Sequence, residues 1–314
     1  MLKRELPDEL KFMANKRAPQ KSTSASMAGK VCVVTGSTSG VGLEAVRRLA
    51  RGGAHIVLVC RNADKGERVR AELVSQHKVP VDVVLADLSD LAQVRQAAGT
   101  LLARCPRIDV LINSAGLHST RRILTAAGHE LVFCVDHLAP FLLTHLLLER
   151  LKQSAPARVI QVNSEGHRFG GLNLDDLAWE KRPYIGLRAY GAAKTAQLLT
   201  TWEFADRLAG SGVTINAMHP GDVKTNIGNN NGFLYRWFLH NVTWHTLKDP
   251  VISGEALYYL AAAPELEGVS GRFLYLTLDE VPAPHARDRA RGREVWDVSM
   301  QLTGLAPKTE GIAR

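Results

Sequence analysis

Tyr190 and Lys194 have the side-chain types and the spacing of an acid–base pair. They lie four residues apart in a stretch of helical periodicity, about 188–209, so both side chains are expected on one face of a helix. A neighbouring ammonium favours phenolate over phenol and lowers the pKa of a tyrosine from about 10 toward neutral pH, where it can donate or accept a proton. An isolated pair with this spacing is common by chance and usually lies on the surface. The assignment therefore depends on what accompanies it.

Ser164 ends the apolar stretch that precedes this helix. Its hydroxyl could polarise a carbonyl group, although serine is also an ordinary turn former at the end of a strand. No metal site is expected, because no two histidines near the strand ends share a helix face with a carboxylate. These histidines are His118, His137, His167 and His219. The four widely spaced cysteines are expected to be reduced and buried.

The glycine-rich segment TGSTSGVG, at 35–42, follows an apolar strand and opens a helix, which is the context that a nucleotide-binding loop requires. The first glycine permits a tight turn, the second permits close approach of a pyrophosphate, and the third permits the helix to pack on the strand. A glycine-rich turn without function is the alternative. The residues predicted to bind a dinucleotide here are Thr35, Gly36, Ser37, Ser39, Gly40, Val41 and Gly42.

The spacing G-x-x-x-G-x-G resembles the glycine motif of the short-chain dehydrogenase/reductases, and the resemblance extends from about residue 30 to 278. Ser164, Tyr190 and Lys194 then match the catalytic residues of the family in order. Three further motifs resemble the family's cofactor contacts: DL after the third strand, NSAG after the fourth and PGDVKT after the sixth. The resemblance implies cofactor contacts by Asp87, Leu88, Asn113, Ala115, Gly116, Tyr190, Lys194, Pro220, Gly221, Val223 and Thr225.

The end of the second predicted strand, in VCRN, bears on the choice of cofactor. It has no acidic residue where an NAD site places a carboxylate against the ribose hydroxyls. Arg61 stands there instead, and a guanidinium can form paired hydrogen bonds with a 2′-phosphate, although a solvated loop arginine is the alternative. We predict that Arg61 and Asn62 contact the cofactor and that NADP(H) is preferred over NAD(H). CRN, VDHLAPFLLT, RAYGAAK and HPGDVKT look most similar to the retinol-dehydrogenase-like branch, and family members with CRN usually prefer NADP(H).

Asp136 departs from the family pattern. It stands where the resemblance implies an asparagine, a fourth catalytic residue that keeps a backbone kink and a water that passes protons to the active-site lysine. An aspartate accepts the same hydrogen bonds but cannot donate them, and its charge would hold Lys194 in the protonated form. We predict a tolerated variant of the catalytic set. A slower enzyme, or a dinucleotide-binding sensor or scaffold with weak or no turnover, is the alternative.

Apolar stretches of strand length alternate with stretches of helical periodicity from about residue 30 onward. The expected strands lie in KVCVVTG, HIVLVC, VDVVLAD, DVLINSAG, RVIQVNS, GVTINAM and RFLYL. Their near-continuous Val, Ile and Leu content is typical of strands buried on both faces. We therefore predict a single-domain α/β fold of the Rossmann type, a doubly wound, mostly seven-stranded parallel sheet flanked by helices. Ligands of such sheets bind outside the carboxyl ends of the strands, where all these motifs fall.

Segments outside the predicted Rossmann domain, 29–280, differ in composition from it. Residues 1–28 are rich in Lys, Ser, Ala and Pro and are expected to form a flexible arm, and residues 281–314 a tail that packs on the domain. Residues about 226–249, within the domain, contain five aromatic side chains and are predicted to cover a hydrophobic substrate as a lid. Core packing, a dimer contact or shallow membrane contact are the alternatives.

Composition excludes several classes of protein. The 314 residues are 46% hydrophobic, and the net charge of +8 is spread along the chain without a nucleic-acid recognition motif, so no nucleic-acid partner is expected. No apolar stretch approaches the roughly twenty residues that span a bilayer, and the longest candidate is 138–151. A cytoplasmic location is expected, and peripheral membrane association stays open. The resemblance also leaves open a homodimer through the helices that contain Leu142 and Lys194.

The predicted reaction is hydride transfer between NADP(H) and a carbonyl or alcohol group. The expected substrate is a small hydrophobic molecule such as a retinoid, a steroid, a lipid aldehyde or a polyketide-like compound. In this prediction Tyr190 is the acid–base residue, Lys194 lowers its pKa, Ser164 steadies the carbonyl oxygen and Asp136 takes the relay position.

Overall fold

The computed structural model describes Asn15, residues 18–223 and residues 249–306. One sheet of eight strands forms its centre, in the order β3-β2-β1-β4-β5-β6-β7-β8. The strands are Val31–Thr35 (β1), His55–Cys60 (β2), Val81–Leu85 (β3), Val110–Asn113 (β4), Ala157–Val162 (β5), Val213–His219 (β6), Phe273–Tyr275 (β7) and Leu278–Asp279 (β8). The first seven are parallel and β8 is antiparallel to β7. The predicted doubly wound fold is confirmed, with one strand added at the edge.

The eighth strand escaped the sequence pattern because it has only two residues and pairs with β7 through a tight turn in which Leu276 takes a left-handed conformation. Elsewhere the pattern is a good guide. Every residue of β1, β4 and β6 is buried, as expected of strands covered on both faces. The strand order reverses between β1 and β4, which opens a crevice at the carboxyl ends of these two strands.

Seven helices cover the sheet in the described part of the chain. They are Gly40–Arg51 (α1), Ala63–His77 (α2), Leu91–Arg104 (α3), Leu131–Gln153 (α4), Gly186–Arg207 (α5), Val251–Ala262 (α6) and Arg289–Leu302 (α7). The helices α1, α2 and α6 pack on one face of the sheet, and the other four pack on the opposite face. The helical stretch predicted from about 125 begins at Leu131, because Leu124 and Glu130 form an isolated antiparallel bridge instead.

Helix α4 is longer and more apolar than the 14-residue stretch that the sequence suggested. It has 23 residues and is apolar enough by composition to cross a membrane, but 78% of its apolar window is buried inside the fold. Its apolar side chains pack against the sheet and α3, so the core accounts for its composition. A membrane contact of the protein stays a prediction.

Residues 18–28 are attached to the domain, which differs from the flexible arm expected for 1–28. The backbone N–H of Lys21 donates to Thr277 Oγ1 at 2.8 Å, and the Tyr258 hydroxyl donates to the Ala25 carbonyl at 2.6 Å. Met27 inserts into the core with 3% exposure. These partners lie more than 200 residues away along the chain, so local composition could not indicate them. Residues 1–14, 16 and 17 lie outside the described residues.

The C-terminal helix α7 packs across α4 and α5. The Trp296 ring contacts Phe141 and Phe204 edge to face, with ring centroids 5.0 and 4.7 Å apart. The Arg207 guanidinium covers the same indole at 4.2 Å from the ring centroid. Helix α7 therefore covers part of the surface of α4 and α5, the helices through which the resemblance left a homodimer open.

Because Trp296 is 6% exposed and fills the space between α4 and α5, Trp296→Ala is expected to lower the free energy of unfolding by about 3–5 kcal/mol. Chemical denaturation followed by circular dichroism measures this loss. Val251→Ala is the control, because Val251 is 48% exposed and should change stability by less than about 0.5 kcal/mol. Equal stability of Trp296→Ala and the wild type would show that α7 is not part of the core.

Candidate active site

The predicted site residues that the structure describes lie along one edge of the sheet. Since β1 to β7 are parallel, the residues that follow them meet at the carboxyl edge. The structure thus brings the glycine loop after β1, Arg61 after β2, Asn113 at the end of β4 and Ser164 after β5 to the same side. Pro220, Gly221 and Val223 follow β6, whereas Thr225 and the predicted lid up to residue 248 lie outside the described residues.

The glycine loop approaches the end of β4 so closely that larger residues would not fit. Gly36 has φ +65°, and a Cβ on it would lie 2.7 Å from the Cα of Ala115. A Cβ on Gly42 would lie 2.4 Å from the carbonyl oxygen of Gly36. Thr35 Oγ1 accepts hydrogen bonds from the N–H groups of Ser114, at 3.0 Å, and Ala115, at 3.1 Å. The two motifs therefore form one rigid unit at the switch point.

This unit fits a dinucleotide. Helix α1 begins directly after Ser39 with no acidic residue in its first turn, so its free N–H groups face the crevice without a competing carboxylate. Three buried polar atoms at the same place, Ser37 Oγ, Ser114 Oγ and Asn113 Oδ1, have no hydrogen-bond partner within the described residues. Buried polar groups normally have partners, and the phosphates, ribose and amide of a dinucleotide can provide them.

Other predicted cofactor residues differ in whether their side chains already make hydrogen bonds within the fold. Arg61 is exposed at the end of β2. Asn62 caps α2, because its Oδ1 accepts the N–H of Lys65 at 2.8 Å, so this oxygen already serves the fold. Asp87 Oδ1 accepts hydrogen bonds from the backbone and the hydroxyl of Ser89. The capping of α2 thus accounts for Asn62 without a ligand, whereas the exposed Arg61 side chain is available to bind a ligand.

The three predicted catalytic side chains meet where α5 passes the end of β5. Ser164 Oγ accepts the N–H of Gly166 at 3.0 Å, and a Cβ on Gly166 would lie 3.3 Å from this Oγ and 2.5 Å from Tyr190 Cε1, so the hydroxyl and the phenol ring lie on the two sides of Gly166. The Lys194 ammonium lies 5.6 Å from the centroid of the Tyr190 ring and donates to the Val162 carbonyl at 3.1 Å. The spacing of four residues thus brings phenol and ammonium to one face of the helix, as predicted from the sequence.

The pKa of Tyr190 is subject to opposing effects, whereas the sequence suggested only the lowering effect of Lys194. Burial raises the pKa of the Tyr190 phenol, the Lys194 ammonium lowers it, the Asp136 carboxylate raises it and the Ser164 hydroxyl lowers it. The sum is a pKa above the ordinary value for the protein alone. Lys194 acts in the predicted direction, but its effect is partly opposed by a carboxylate that the family pattern does not have at this position.

Asp136 lies in a single π turn, Cys134–Leu138, at the start of α4, and its side chain is fully buried. Its Oδ1 accepts the N–H of Leu117 at 2.8 Å, and its Oδ2 is 3.4 Å from the Lys194 Nζ. Burial raises the pKa of Asp136, and the Lys194 charge opposes this. Asp136 therefore connects the segment after β4 to the ammonium of Lys194 as a direct ion pair.

Two residues of the site were not singled out from the sequence. Asn163 Nδ2 donates to the carbonyl of Lys194 at 2.9 Å, and its Oδ1 accepts the N–H of Ser164 at 2.8 Å, so it fixes Ser164 against α5. Gly166 gives room to the Tyr190 ring, because a Cβ on it would lie 2.5 Å from Tyr190 Cε1. The sequence indicated these two site residues only by placing a polar residue and a glycine close to Ser164.

Three exposed apolar side chains lie beside the N-terminal part of α5, the helix that bears Tyr190. Phe169, Ile185 and Leu187 are 53%, 47% and 50% exposed. Phe169 lies beside Gly191, the residue after Tyr190, and Ile185 and Leu187 flank the first residue of α5. On the inner side, the His118 ring meets the Tyr190 ring edge to face at 5.9 Å between centroids. The N-terminal part of α5 therefore has exposed apolar side chains beside it, whereas the groups around Lys194 are polar.

Comparison with known proteins identifies the family to which the chain belongs. The family model of short chain dehydrogenases matches residues 30–232. The chain is 38% identical to human retinol dehydrogenase 13 over 291 residues, and this match covers 90% of this chain and 87% of that protein. An uncharacterised protein from Mycobacterium paratuberculosis has a solved structure that is 31% identical, with a TM-score of 0.72 over 91% of this chain and 98% of that one. A blue fluorescent protein from a metagenomic library, solved with NADPH, is 26% identical with a TM-score of 0.61, over 80% and 96% of the chains.

These similarities confirm the resemblance found in the sequence motifs, and they do not favour the alternative of a sensor or scaffold without turnover. The match to the family covers more than half of the chain, and the relatives with retinol dehydrogenase names cover most of it. The chain therefore belongs to the short-chain dehydrogenase family, in its retinol-dehydrogenase-like branch, and is an NAD(P)-dependent oxidoreductase of alcohol and carbonyl groups.

Proposed function

We propose that this enzyme transfers a hydride between NADP(H) and the alcohol or carbonyl group of a hydrophobic substrate, with Tyr190 as the acid–base residue. The observation that carries this proposal is the juxtaposition of Ser164 and the Tyr190 ring around Gly166, with the Lys194 ammonium 5.6 Å from the centroid of that ring. When bound, the dinucleotide supplies the hydride for reduction or accepts it in oxidation. The Tyr190 phenol then donates a proton to the carbonyl oxygen, and in the reverse direction the phenolate removes the proton from the alcohol.

The neighbouring residues have separate roles in this proposal. The Ser164 hydroxyl donates to the substrate oxygen and holds it next to the phenol. The positive charge of Lys194 stabilises the phenolate form of Tyr190. Asp136 holds the Lys194 ammonium in place and sets how strongly its charge acts on Tyr190. The ion pair with Lys194 thus replaces the uncharged contact that the asparagine of the family pattern would make.

The preference for NADP(H) is supported by charge at the end of β2. The exposed guanidinium of Arg61 can form paired hydrogen bonds with a 2′-phosphate, and no carboxylate follows β2 directly to repel it. The similarity to a protein solved with NADPH agrees with this choice. The contacts of the glycine loop and of Asn113 are common to both dinucleotides and do not discriminate between them.

A hydrophobic substrate is supported by the exposed apolar side chains of Phe169, Ile185 and Leu187 along the N-terminal part of α5, the helix that bears Tyr190. Apolar side chains around a few convergent polar groups are typical of sites for small hydrophobic ligands. The similarity to retinol dehydrogenase 13 favours a retinoid-type alcohol or aldehyde within this class, ahead of a steroid, a lipid aldehyde or a polyketide-like compound. The closing lid over residues 226–249 stays a prediction from the sequence.

The role of Tyr190 predicts that Tyr190→Phe lowers kcat by at least about 10²-fold, because phenylalanine has no hydroxyl proton to transfer. The test measures NADPH-dependent reduction and NADP⁺-dependent oxidation on a panel of hydrophobic aldehydes and alcohols that includes retinal and retinol. The dissociation constant of NADPH, from fluorescence titration, should change less than threefold. The matched control is Tyr258→Phe, which removes a hydroxyl hydrogen-bonded to Ala25 on the face of α6. Unchanged turnover of Tyr190→Phe would disprove the assignment.

The charge of Asp136 predicts a shift in the pH dependence of the reaction. Oxidation needs the phenolate of Tyr190, so its kcat/KM rises with pH through the pKa of Tyr190, and Asp136 raises that pKa. Asp136→Asn removes this effect, so the rise should move to lower pH, and oxidation at neutral pH should become faster. Reduction needs the phenol, so its kcat/KM falls at high pH. In Asp136→Asn this fall should also move to lower pH. A profile that stays in place, or that moves to higher pH, contradicts the electrostatic role of Asp136.

The role of Arg61 predicts that Arg61→Ala weakens NADPH binding by about 10-fold or more and leaves NADH binding unchanged, since only NADPH has the 2′-phosphate. Titration of both nucleotides against the same preparation gives the two dissociation constants. Arg70→Ala, an exposed arginine of α2 that pairs with Glu67, is the matched control. If both nucleotides weaken equally, Arg61 acts on the fold of the loop and not on the phosphate.

A further inference from the structure

We propose that His167 is a positioning residue that fixes the backbone of Ser164, and with it the direction of the Ser164 hydroxyl. The inference rests on the proposed function, because it assumes that Ser164 acts on the substrate oxygen. His167 lies in the 3₁₀ turn Glu165–Phe169 that follows Ser164, and its side chain is fully buried. The sequence indicated no metal site at this histidine and assigned it no role, whereas its contacts in the fold indicate one.

The hydrogen bonds of the imidazole determine its tautomer. Nδ1 lies 2.7 Å from the carbonyl oxygen of Ser164, and Nε2 lies 3.0 Å from the backbone N–H of Ala283. A carbonyl only accepts and an amide N–H only donates, so the ring has its proton on Nδ1 and a lone pair on Nε2. Burial lowers the pKa of His167 to about 4, which keeps the ring neutral at physiological pH. Among uncharged side chains, only the imidazole has a donor and an acceptor at these two places.

These contacts join Ser164 to two other parts of the fold. The Ser164 carbonyl accepts from Nδ1 and also from the backbone N–H of His167 at 3.2 Å. The carbonyl of His167 accepts from Thr195 Oγ1, the residue after Lys194, at 3.2 Å and lies 2.9 Å from the Nε2 of His285. His167 therefore connects the catalytic serine, the helix that bears Tyr190 and Lys194, and the segment 283–285.

A second attachment keeps the same segments together without His167. Arg168 pairs with Glu165 in its own turn and with Glu280 at 3.0 Å, and it also donates to the carbonyl of Val281 at 3.0 Å. The side chain of Glu280 is fully buried in this cluster. Because this cluster joins the turn to the C-terminal segment independently, we expect variants of His167 to fold and to lose the orientation of Ser164 instead.

The test compares three variants that each remove one buried hydrogen bond of His167. His167→Asn places its amide nitrogen where Nδ1 lies and keeps the bond to Ser164, whereas His167→Gln places its amide oxygen where Nε2 lies and keeps only the bond to Ala283. Thr195→Val removes the hydroxyl that donates to the His167 carbonyl at 3.2 Å and leaves both hydrogen bonds of the imidazole in place.

We expect the three variants to lose similar stability and to differ in turnover. All three variants should lower Tm to a similar extent, because each loses one buried hydrogen bond. His167→Gln should lower kcat by about 10²-fold, the cost of a small misplacement of a reacting group, with KM and the NADPH dissociation constant within threefold of wild type. His167→Asn and Thr195→Val should keep kcat within about threefold. If His167 had only a structural role, kcat would fall in parallel with Tm in all three variants.

Tyr190→Phe, measured on the same panel substrate, separates this inference from the proposed function. If Tyr190→Phe is inactive and His167→Gln keeps wild-type kcat, the positioning role is wrong while the proposed function stands. Equal kcat losses in His167→Gln, His167→Asn and Thr195→Val also overturn the positioning role. If Tyr190→Phe remains active, the proposed function and the positioning role fail together. If His167→Asn does not fold, Thr195→Val provides the variant with an intact bond to Ser164.

Discussion

The Lys194 ammonium is almost completely buried, with Nζ 3.1 Å from the Val162 carbonyl and 3.4 Å from Asp136 Oδ2. A buried charge is strongly unfavourable unless it is paired and hydrogen-bonded, so these partners constrain the structure around it. They come from the end of β5 and from the π turn that starts α4, and Lys194 itself comes from α5. Three elements that are distant in the sequence therefore have to meet at this one cation, and the Tyr190 phenol lies beside it as a result.

The other half of the site depends on close backbone approach. The glycine loop after β1 lies so near the end of β4 that a Cβ at Gly36 or Gly42 would overlap backbone atoms. The crevice between β1 and β4 stays open because the strand order reverses there, and the N-terminus of α1 points into it. The dinucleotide site is thus built mainly from backbone geometry, and the reacting centre mainly from buried side-chain charge. The parallel sheet joins them by bringing both to its carboxyl edge.

Much of this arrangement was predictable from residue types and spacing. The alternation of apolar strands and helices predicted the doubly wound sheet, and the spacing of Tyr190 and Lys194 predicted their common helix face. Features held by long-range contacts were not predictable. The two-residue strand β8, the attachment of residues 18–28 and the packing of Trp296 between α4 and α5 all depend on partners far along the chain. Local periodicity has no information about such partners, because they are chosen only when the core forms.

By itself the sequence determined the fold class, the glycine loop and the candidate catalytic residues, because each rests on short-range spacing within one strand, turn or helix. The tertiary structure decided how those residues act on one another. Only the folded chain places Asp136 against Lys194, so that a carboxylate opposes the effect of the ammonium on Tyr190. Likewise, His167 contacts Ala283 across 116 residues of chain, and only the packing of the C-terminal segment turns this histidine into a support for Ser164. Electrostatic effects and hydrogen bonds depend on distances in space, and these distances are fixed by packing.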